Sequence, residues 1–447
     1  MPENDQEAEQ LSKSQSRKRR WLIVIVALPL MLLLTMLGFA FFGSSQLDQE
    51  LAELRSQGLP TNAVELNAYY SVPQNVTDTT ELWTAAIAAV TNAGIDQRAA
   101  AIPIVGMGPT PIPKPGQEWA ELDASRNFLA ELDQEMQLIR QAAAAEGMAR
   151  YPVDFNAGIN AILPHAQEAR TLARLLTLSA HVRAHEGNAS EAVNDTAAVF
   201  AVSESLRGEP LLISQLIRIA THAVGCELTA DMLPFCNWND EELTRLQSAI
   251  GRADFRAEVL RAIHGERAIC LHTMDTTSGL VFRVSSKLKI LELLQEATAG
   301  LDVSWQEATK RCTEIDTQMK AASGGSFSRL KYWGAILMLP ALRQSVIAGT
   351  RAEARQNSLI VTIAAYRYRL KHGEFPKSLD DLRDLIPGND SAKIQRLTDP
   401  FDGQPLKFKT DDARIIIYSV SDDLTDDGGV IDGEDPRGGD LGYSIEK

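Results

Sequence analysis

Residues 172–204 read LARLLTLSAHVRAHEGNASEAVNDTAAVFAVSE, two runs rich in alanine and small apolar residues parted by Glu186, Gly187 and Asn188. Such residues favour helix, and glycine ends one cheaply because it enters the left-handed region with no Cβ to clash. The stretch is expected to be a two-helix hairpin that meets its neighbours through Leu175, Leu176, Ala180, Ala192 and Val199. From Trp119 to about Leu301 the same texture continues, with single Gly or Pro residues as punctuation. The bulk of the chain is therefore expected to be an irregular α-helical domain.

Working towards the N-terminus, Ile102 to Gly116 holds Pro103, Pro109, Pro111, Pro113 and Pro115. That density excludes helix and favours an extended, polyproline-like surface loop. Glu81 to Val90 reads as a further helix, and Leu47 to Leu59 as a short helical stalk ending at Gly58 and Pro60. Towards the C-terminus, the uncharged run from Tyr332 to Leu342 is too short to cross a bilayer and contains Pro340, so it reads as a core helix. A separate helix follows, because Leu359, Ile363, Tyr366 and Leu370 recur on one face and Gly373 is placed to stop it.

The hairpin resembles a tetratricopeptide unit, with Ala180 at the first helix contact, Gly187 in the turn, and Ala192 and Val199 on the second helix. The resemblance covers one copy of about 34 residues. No second copy stands in register, so it does not imply a repeat array.

From Trp21 to Phe42 the chain carries no charge, and 22 helical residues at about 1.5 Å each span roughly 33 Å, enough for a hydrocarbon core. Lys13, Arg17, Lys18, Arg19 and Arg20 precede it, and Ser44 to Glu50 carries only acid. The positive-inside bias then places the N-terminus in the cytoplasm and the bulk outside it. A cleaved secretory signal also starts basic, and Gly38 and Ala40 supply a small-x-small pair. Signal h-regions usually run about 7 to 15 residues, which favours an uncleaved single-pass anchor in the cytoplasmic (inner) membrane.

Beyond Gly373 short turns and strands take over. Ser378 and Asp381 make a capping-box-like start for a short helix bearing Leu382, Leu385 and Ile386, and Asp402-Gly403 makes a turn. Leu406 and Phe408 alternate with Lys407 and Lys409, and a second strand runs from Arg414 to Val420. The succession AAYRYRLKHGEFPKSLDDL, LTDPFDGQPLKFK and IIIYSVSDDLTDDGG resembles the C-terminal half of the major pseudopilin of type II secretion systems. The shared markers are a helix ending in Tyr, Gly and Phe-Pro, the Asp399-Pro400 turn followed by Gly403, and a Tyr-Ser strand running into acidic glycines. The resemblance covers about a fifth of the chain and implies a helix packed on a small antiparallel sheet, with calcium in the last loop. The chain departs from that family in its anchor, which lacks the prepilin-type Gly-Phe-Thr-Leu-Ile-Glu start, so the resemblance implies a shared module and not assembly into a pilus. The chain also resembles large bacterial membrane proteins that carry this tail after a helical domain.

The residues point to the same loop without the resemblance. Asp423, Thr425, Asp427, Gly428, Gly429 and Glu434 fall at positions 1, 3, 5, 6, 7 and 12 of a calcium loop. Alternating oxygen donors wrap a hard cation, glycine permits the sharp turn, and the distal Glu can bind through both oxygens. Ile431 cannot supply position 9, and an acidic solvated turn is the simpler alternative. In pseudopilin-like geometry Asp422, Asp426, Asp432 and Asp435 would substitute as ligands.

Other chemistry is sparse. His181 and His185 stand four apart on a helix, but no HExxH glutamate accompanies them, and they read as surface histidines at a helix end. His264, Glu266 and His272 do not share one helical face. Cys226, Cys236, Cys270 and Cys312 lack CxxC spacing, and are either small buried apolar residues or, in an oxidising compartment, partners in up to two disulfides. The net charge of −15, with twice as many acidic as basic residues between Gly373 and Lys447, argues against a nucleic-acid partner, for want of a phosphate-neutralising patch. No nucleophile elbow, Walker loop or dinucleotide fingerprint is present.

The expectation is thus a mainly α protein in five parts: a basic cytoplasmic tail (1–20), a transmembrane helix (21–42), a stalk and Pro-rich region (43–118), a helical domain (119–350) and an α+β pseudopilin-like module (351–447). Its expected role is that of a membrane-tethered extracytoplasmic scaffold or assembly protein with an unidentified protein partner. The alternative is an extracytoplasmic hydrolase.

Overall fold

A computed structural model describes residues 43–277, 283–322, 324–325, 332–411, 414–431 and 439–446. Pro164, whose fixed φ and missing N–H suit a first helical turn, opens a helix that ends at His185, and a second runs from Ala189 to Ser205. This is the expected hairpin, turned at Gly187 (φ +80°), and Leu175, Leu176, Ala180, Ala192 and Val199 are all fully buried.

In chain order the helices are α1 (residues 43–56), α2 (Ala63–Tyr69), α3 (Thr80–Asn92), α4 (Ile95–Arg98), α5 (Leu122–Ala130), α6 (Asp133–Ala144), α7 (Pro164–His185), α8 (Ala189–Ser205) and α9 (Leu212–Met232). They continue with α10 (Asp240–Ile250), α11 (Phe255–Thr276), α12 (Arg283–Val303), α13 (Trp305–Ala322), α14 (Trp333–His372) and α15 (Asp390–Leu397). Three strands, β1 (Lys407–Thr410), β2 (Arg414–Ser419) and β3 (Leu441–Glu446), form an antiparallel sheet in the order β1-β2-β3. The chain is mainly helical with a small C-terminal sheet, as expected.

Two helical cores share one spine. α14 is 40 residues long, about 60 Å at helical rise. Its first half places Leu342 and Val346 in a core with Val259 of α11, Leu294 of α12 and Ile315 of α13. Its second half places Leu359, Ile360 and Ile363 in the larger core, with Leu176 of α7, Val199 of α8 and Leu246 of α10. That same core takes in Ile415 and Ile417 of β2 and Tyr443 and Ile445 of β3, so the sheet and the helical hairpin bury their apolar faces together.

Several expectations change. The helices expected at 332–342 and 359–370 are one helix, and Pro340 lies inside it. Packing against α11–α13 offsets the roughly 3 kcal/mol that an internal proline costs. The helix stops where expected, at Gly373 (φ +75°), whose N–H donates to Arg369 O. The expected stalk is no free rod, because Leu47 of α1 is buried against Leu271 and Leu291. The start of the Pro-rich stretch, residues 102–108, is not extended: Gly106 N–H and Gly108 N–H both donate to Ile102 O, and Ile102 and Val105 tuck into the larger core. α15 and β3 were not anticipated.

Among the described residues no helix is long and apolar enough to cross a membrane, and the expected span, Trp21 to Phe42, lies outside them.

Candidate metal loop and buried polar clusters

The acidic loop is built from its base upward. Asp399, fully buried, accepts Phe401 N–H (2.9 Å) and the Ser419 hydroxyl (2.8 Å) on Oδ1 and Val420 N–H (2.9 Å) on Oδ2. The Asp-Pro turn flagged in the sequence therefore clasps the end of β2. Burial raises the Asp399 carboxyl above its usual range, against the pull of those hydrogen bonds.

From this clasp the chain turns sharply, with left-handed backbone at Ser421, Leu424, Gly428 and Gly429. At Gly429 the reason for glycine is double: φ is +77°, and a Cβ would stand 3.2 Å from Ile416 Cδ1 and Tyr418 Cε1. The loop thus folds back over the outer face of β2. Asp440, which the sequence reading did not single out, holds it there, accepting Gly429 N–H at 2.7 Å and Asp427 N–H at 3.4 Å. Burial raises the Asp440 carboxyl as well.

The candidate ligands are distributed along this turn. Asp423 Oδ1 accepts Thr425 N–H at 2.9 Å, while Asp426 Oδ1 accepts the Tyr418 hydroxyl and Gly428 N–H, both at 3.0 Å. Asp422 pairs with Arg351 at 3.1 Å, and Lys409 Nζ donates to Gly428 O. Asp423, Thr425 and Asp427 are exposed, Gly429 is buried, and Glu434, with Asp432 and Asp435, lies outside the described residues. Among the described residues no three His, Cys, Asp or Glu side chains converge as a metal site. The described loop therefore offers hard oxygen donors on a tightly curved backbone, with Lys409 already on one carbonyl.

The histidines marked in the sequence do not cluster. Of the two histidines expected at the surface, His181 is buried, while His185 is partly exposed, with the Trp119 ring packed 4.9 Å from its own. His264 Nδ1 faces the Tyr69 hydroxyl at 3.4 Å, whereas Glu266 Oε1 accepts Leu212 N–H at 3.0 Å, so these two point to different neighbours as their spacing indicated. Cys226, Cys236, Cys270 and Cys312 all carry thiols, and none is in a disulfide.

Tertiary folding assembles two buried clusters that no local motif announces. In the first, Glu209, between α8 and α9, accepts the Ser214 hydroxyl on Oε1 (2.5 Å), and its Oε2 lies 2.8 Å from His165 Nε2. Tyr151 stacks on His165 at 4.4 Å and donates to Ser205 Oγ. Ser214 and His165 contact opposite oxygens of one carboxylate, so the histidine does not stand between acid and hydroxyl as a nucleophile relay requires. Burial, and then the Glu209 charge, hold the Tyr70 phenol far above its usual range. This is a sealed polar joint between α2, α7 and α9.

In the second, Cys226 Sγ lies 3.4 Å from His222 Nδ1, and His222 Nε2 lies 3.2 Å from Ile250 O. The carbonyl fixes the tautomer with the proton on Nε2, so Nδ1 accepts from the thiol. Burial pushes the Cys226 thiol far up and His222 down to about 4, which keeps both neutral. A thiol so held is not an activated nucleophile. Helical i, i+4 spacing of His222 and Cys226 was visible in the sequence; the burial that silences them was not.

Comparison with protein-family models, curated proteins and solved structures found no match to this chain.

Proposed function

We propose that the protein is a membrane-tethered extracytoplasmic scaffold that presents its helical surface to another protein. The observation that carries this reading is the contrast between its concavities and its titratable clusters. The Glu209 cluster is buried in the core and the Cys226–His222 pair borders only a small cavity of about 170 Å³, while the open groove between α6, α8 and α10, about 570 Å³, is floored by Ala197, Ala198 and Ala201 and rimmed by charges of both signs, Arg245 and Arg252 with Glu146 and Glu191. Small residues admit a partner's backbone closely, and a charged rim confers orientation. A photo-crosslinking residue at Arg245 or Ser248 should trap a discrete protein partner that one at Glu81 does not. Absence of any groove-specific product would reject the scaffold reading.

The tether rests on the Trp21–Phe42 span, with the N-terminus in the cytoplasm of a bacterial inner membrane. A reporter fused after Lys447 should be active only outside the cytoplasm, and full-length protein should resist alkaline extraction; release of a shortened soluble form would establish a cleaved signal instead.

The pseudopilin-like tail suggests a secretion-related setting and calcium in its loop, held by Asp423, Thr425, Asp427, the Gly429 carbonyl and Glu434. The left-handed turns at Gly428 and Gly429 support this reading, since they curve the backbone as a calcium loop requires. Bound calcium would neutralise crowded carboxylates and order the turn. Calorimetry on the full chain in detergent should show binding with a dissociation constant of about 0.1 to 1 mM, as in extracellular modules. Asp423→Ala and Asp427→Ala should abolish it. No heat and no calcium-dependent rise in Tm for the wild type would leave the loop a solvated acidic turn.

A further inference from the structure

The contacts of α1 fix where the chain before it joins the body. Arg283 Nη2 donates to Thr277 O at 3.0 Å and Lys287 pairs with Asp275 at 2.5 Å, so the last turn of α11 and the first turn of α12 stand together at one end of an antiparallel pair. α1 begins at that end: a Cβ on Gly43 would stand 3.2 Å from Val284 Cγ1, and Leu47 is buried against Leu271. It then runs alongside α12 away from that end, and Glu53 and Leu54 share a cavity with Thr298 and Asp302. The 42 residues that precede Gly43, with the expected span Trp21–Phe42, therefore enter the body beside the tip of the α11–α12 pair.

A second segment is fixed at the same end. FNAGINAILP, residues 155–164, holds no charged residue in a chain of which 23% is charged. Ile159 N–H donates to Thr273 Oγ1, in the last turn of α11, at 3.3 Å. Gly158 makes the approach possible, because its φ is +59° and a Cβ there would stand 2.4 Å from Thr273 Oγ1. The loop so held leaves Ile159 56% and Ile162 80% exposed, with Asn160 exposed between them. A lone exposed isoleucine needs no explanation. Two on an uncharged loop, pinned beside the point where an apolar span would enter, mark a face suited to hydrocarbon.

We propose that the end of the molecule bearing Gly43, Thr273 and Ile159 rests on the lipid bilayer, and that the 159–163 loop inserts Ile159 and Ile162 into the extracytoplasmic leaflet. This docking presupposes the tether proposed above and adds to it a fixed orientation of the body. The isoleucines gain the burial that the fold denies them, and they reach about 5–10 Å into the headgroup and acyl boundary, as interfacial apolar side chains do.

The test uses the full chain reconstituted into phosphatidylcholine vesicles, with a genetically encoded fluorescent amino acid at Asn160 or at Val303. Val303 is a control of like exposure, 66%, at the opposite end of α12, about 30 Å away at helical rise. Brominated phosphatidylcholine should quench the probe at 160 and leave the probe at 303 unchanged, and acrylamide in the water should do the reverse. Ile159→Asp with Ile162→Asp, both at exposed positions, should abolish lipid quenching at 160 while the chain keeps its Tm in detergent and its resistance to alkaline extraction. An alkaline-resistant chain whose probe at 160 is not quenched by lipid overturns the docking and leaves the tether standing, whereas release of a shortened soluble form overturns both. Equal lipid quenching at 303, or full quenching in the double variant, also overturns it. A probe at 160 shielded from acrylamide without lipid quenching would show a protein covering the loop in place of lipid.

Discussion

His222 is a buried base whose surroundings decide its protonation. Burial lowers it to about 4, against the weaker upward pull of Ile250 O and Glu204, and Arg218 and Arg396 add to the lowering. Between pH 6.5 and about 4 the unfolded chain therefore takes up a proton that folded His222 refuses. Stability is full above that window and falls as pH drops through it, by on the order of 3 kcal/mol for this residue alone. Urea midpoints measured from pH 7 to pH 4 should trace the fall, and His222→Gln should flatten its slope by one proton; an unchanged slope would mean that His222 protonates freely in the fold. Arg218 poses the complementary case, a cation with no exposure whose loss strands Glu204. Arg218→Ala should cost about 3–5 kcal/mol, read from the urea midpoint, and much of that should return in the Arg218→Met, Glu204→Gln double variant. Equal loss in both would show that shape, not charge, is what the pair supplies.

At the scale of elements, the α7–α8 hairpin was readable because its cause is local: helix-forming residues on both sides of a turn. Ala192 is fully buried, and α8 meets α7 along its length. Ala192→Leu should overpack this contact and lower stability by about 1–3 kcal/mol, seen as a reduced Tm. An unchanged Tm would place the closest approach elsewhere. α14 was misjudged as two helices because Pro340 and the charged middle of the helix mark a break locally, whereas the α11–α13 core packs against that half and keeps it helical. β3 was missed for the opposite reason. LGYSIE is short and follows an acidic glycine-rich run, and its strand state depends on pairing with β2, Ile417 opposite Tyr443 and Ile415 opposite Ile445.

At the scale of the molecule, one apolar core joins the hairpin, the second half of α14 and the sheet. Damage to the sheet should therefore reach the helices. Ile417→Ala, at a fully buried position in β2, should cost about 2–5 kcal/mol and lower the transition followed by helical circular dichroism. A separate, earlier transition confined to the sheet, with the helical midpoint unmoved, would show that the tail folds by itself.

The helical class, the hairpin, the stop at Gly373, the Asp399 turn and the curvature of the acidic loop were all legible in the sequence. Each follows from interactions within a few residues: helix propensity, the permissive φ of glycine, a carboxylate capping nearby N–H groups. Only the tertiary structure decided which polar groups lie together. Glu209 meets His165, and Asp440 closes the loop begun at Asp423. Those arrangements depend on packing between distant segments, where burial changes what a charge costs and therefore what it can bind.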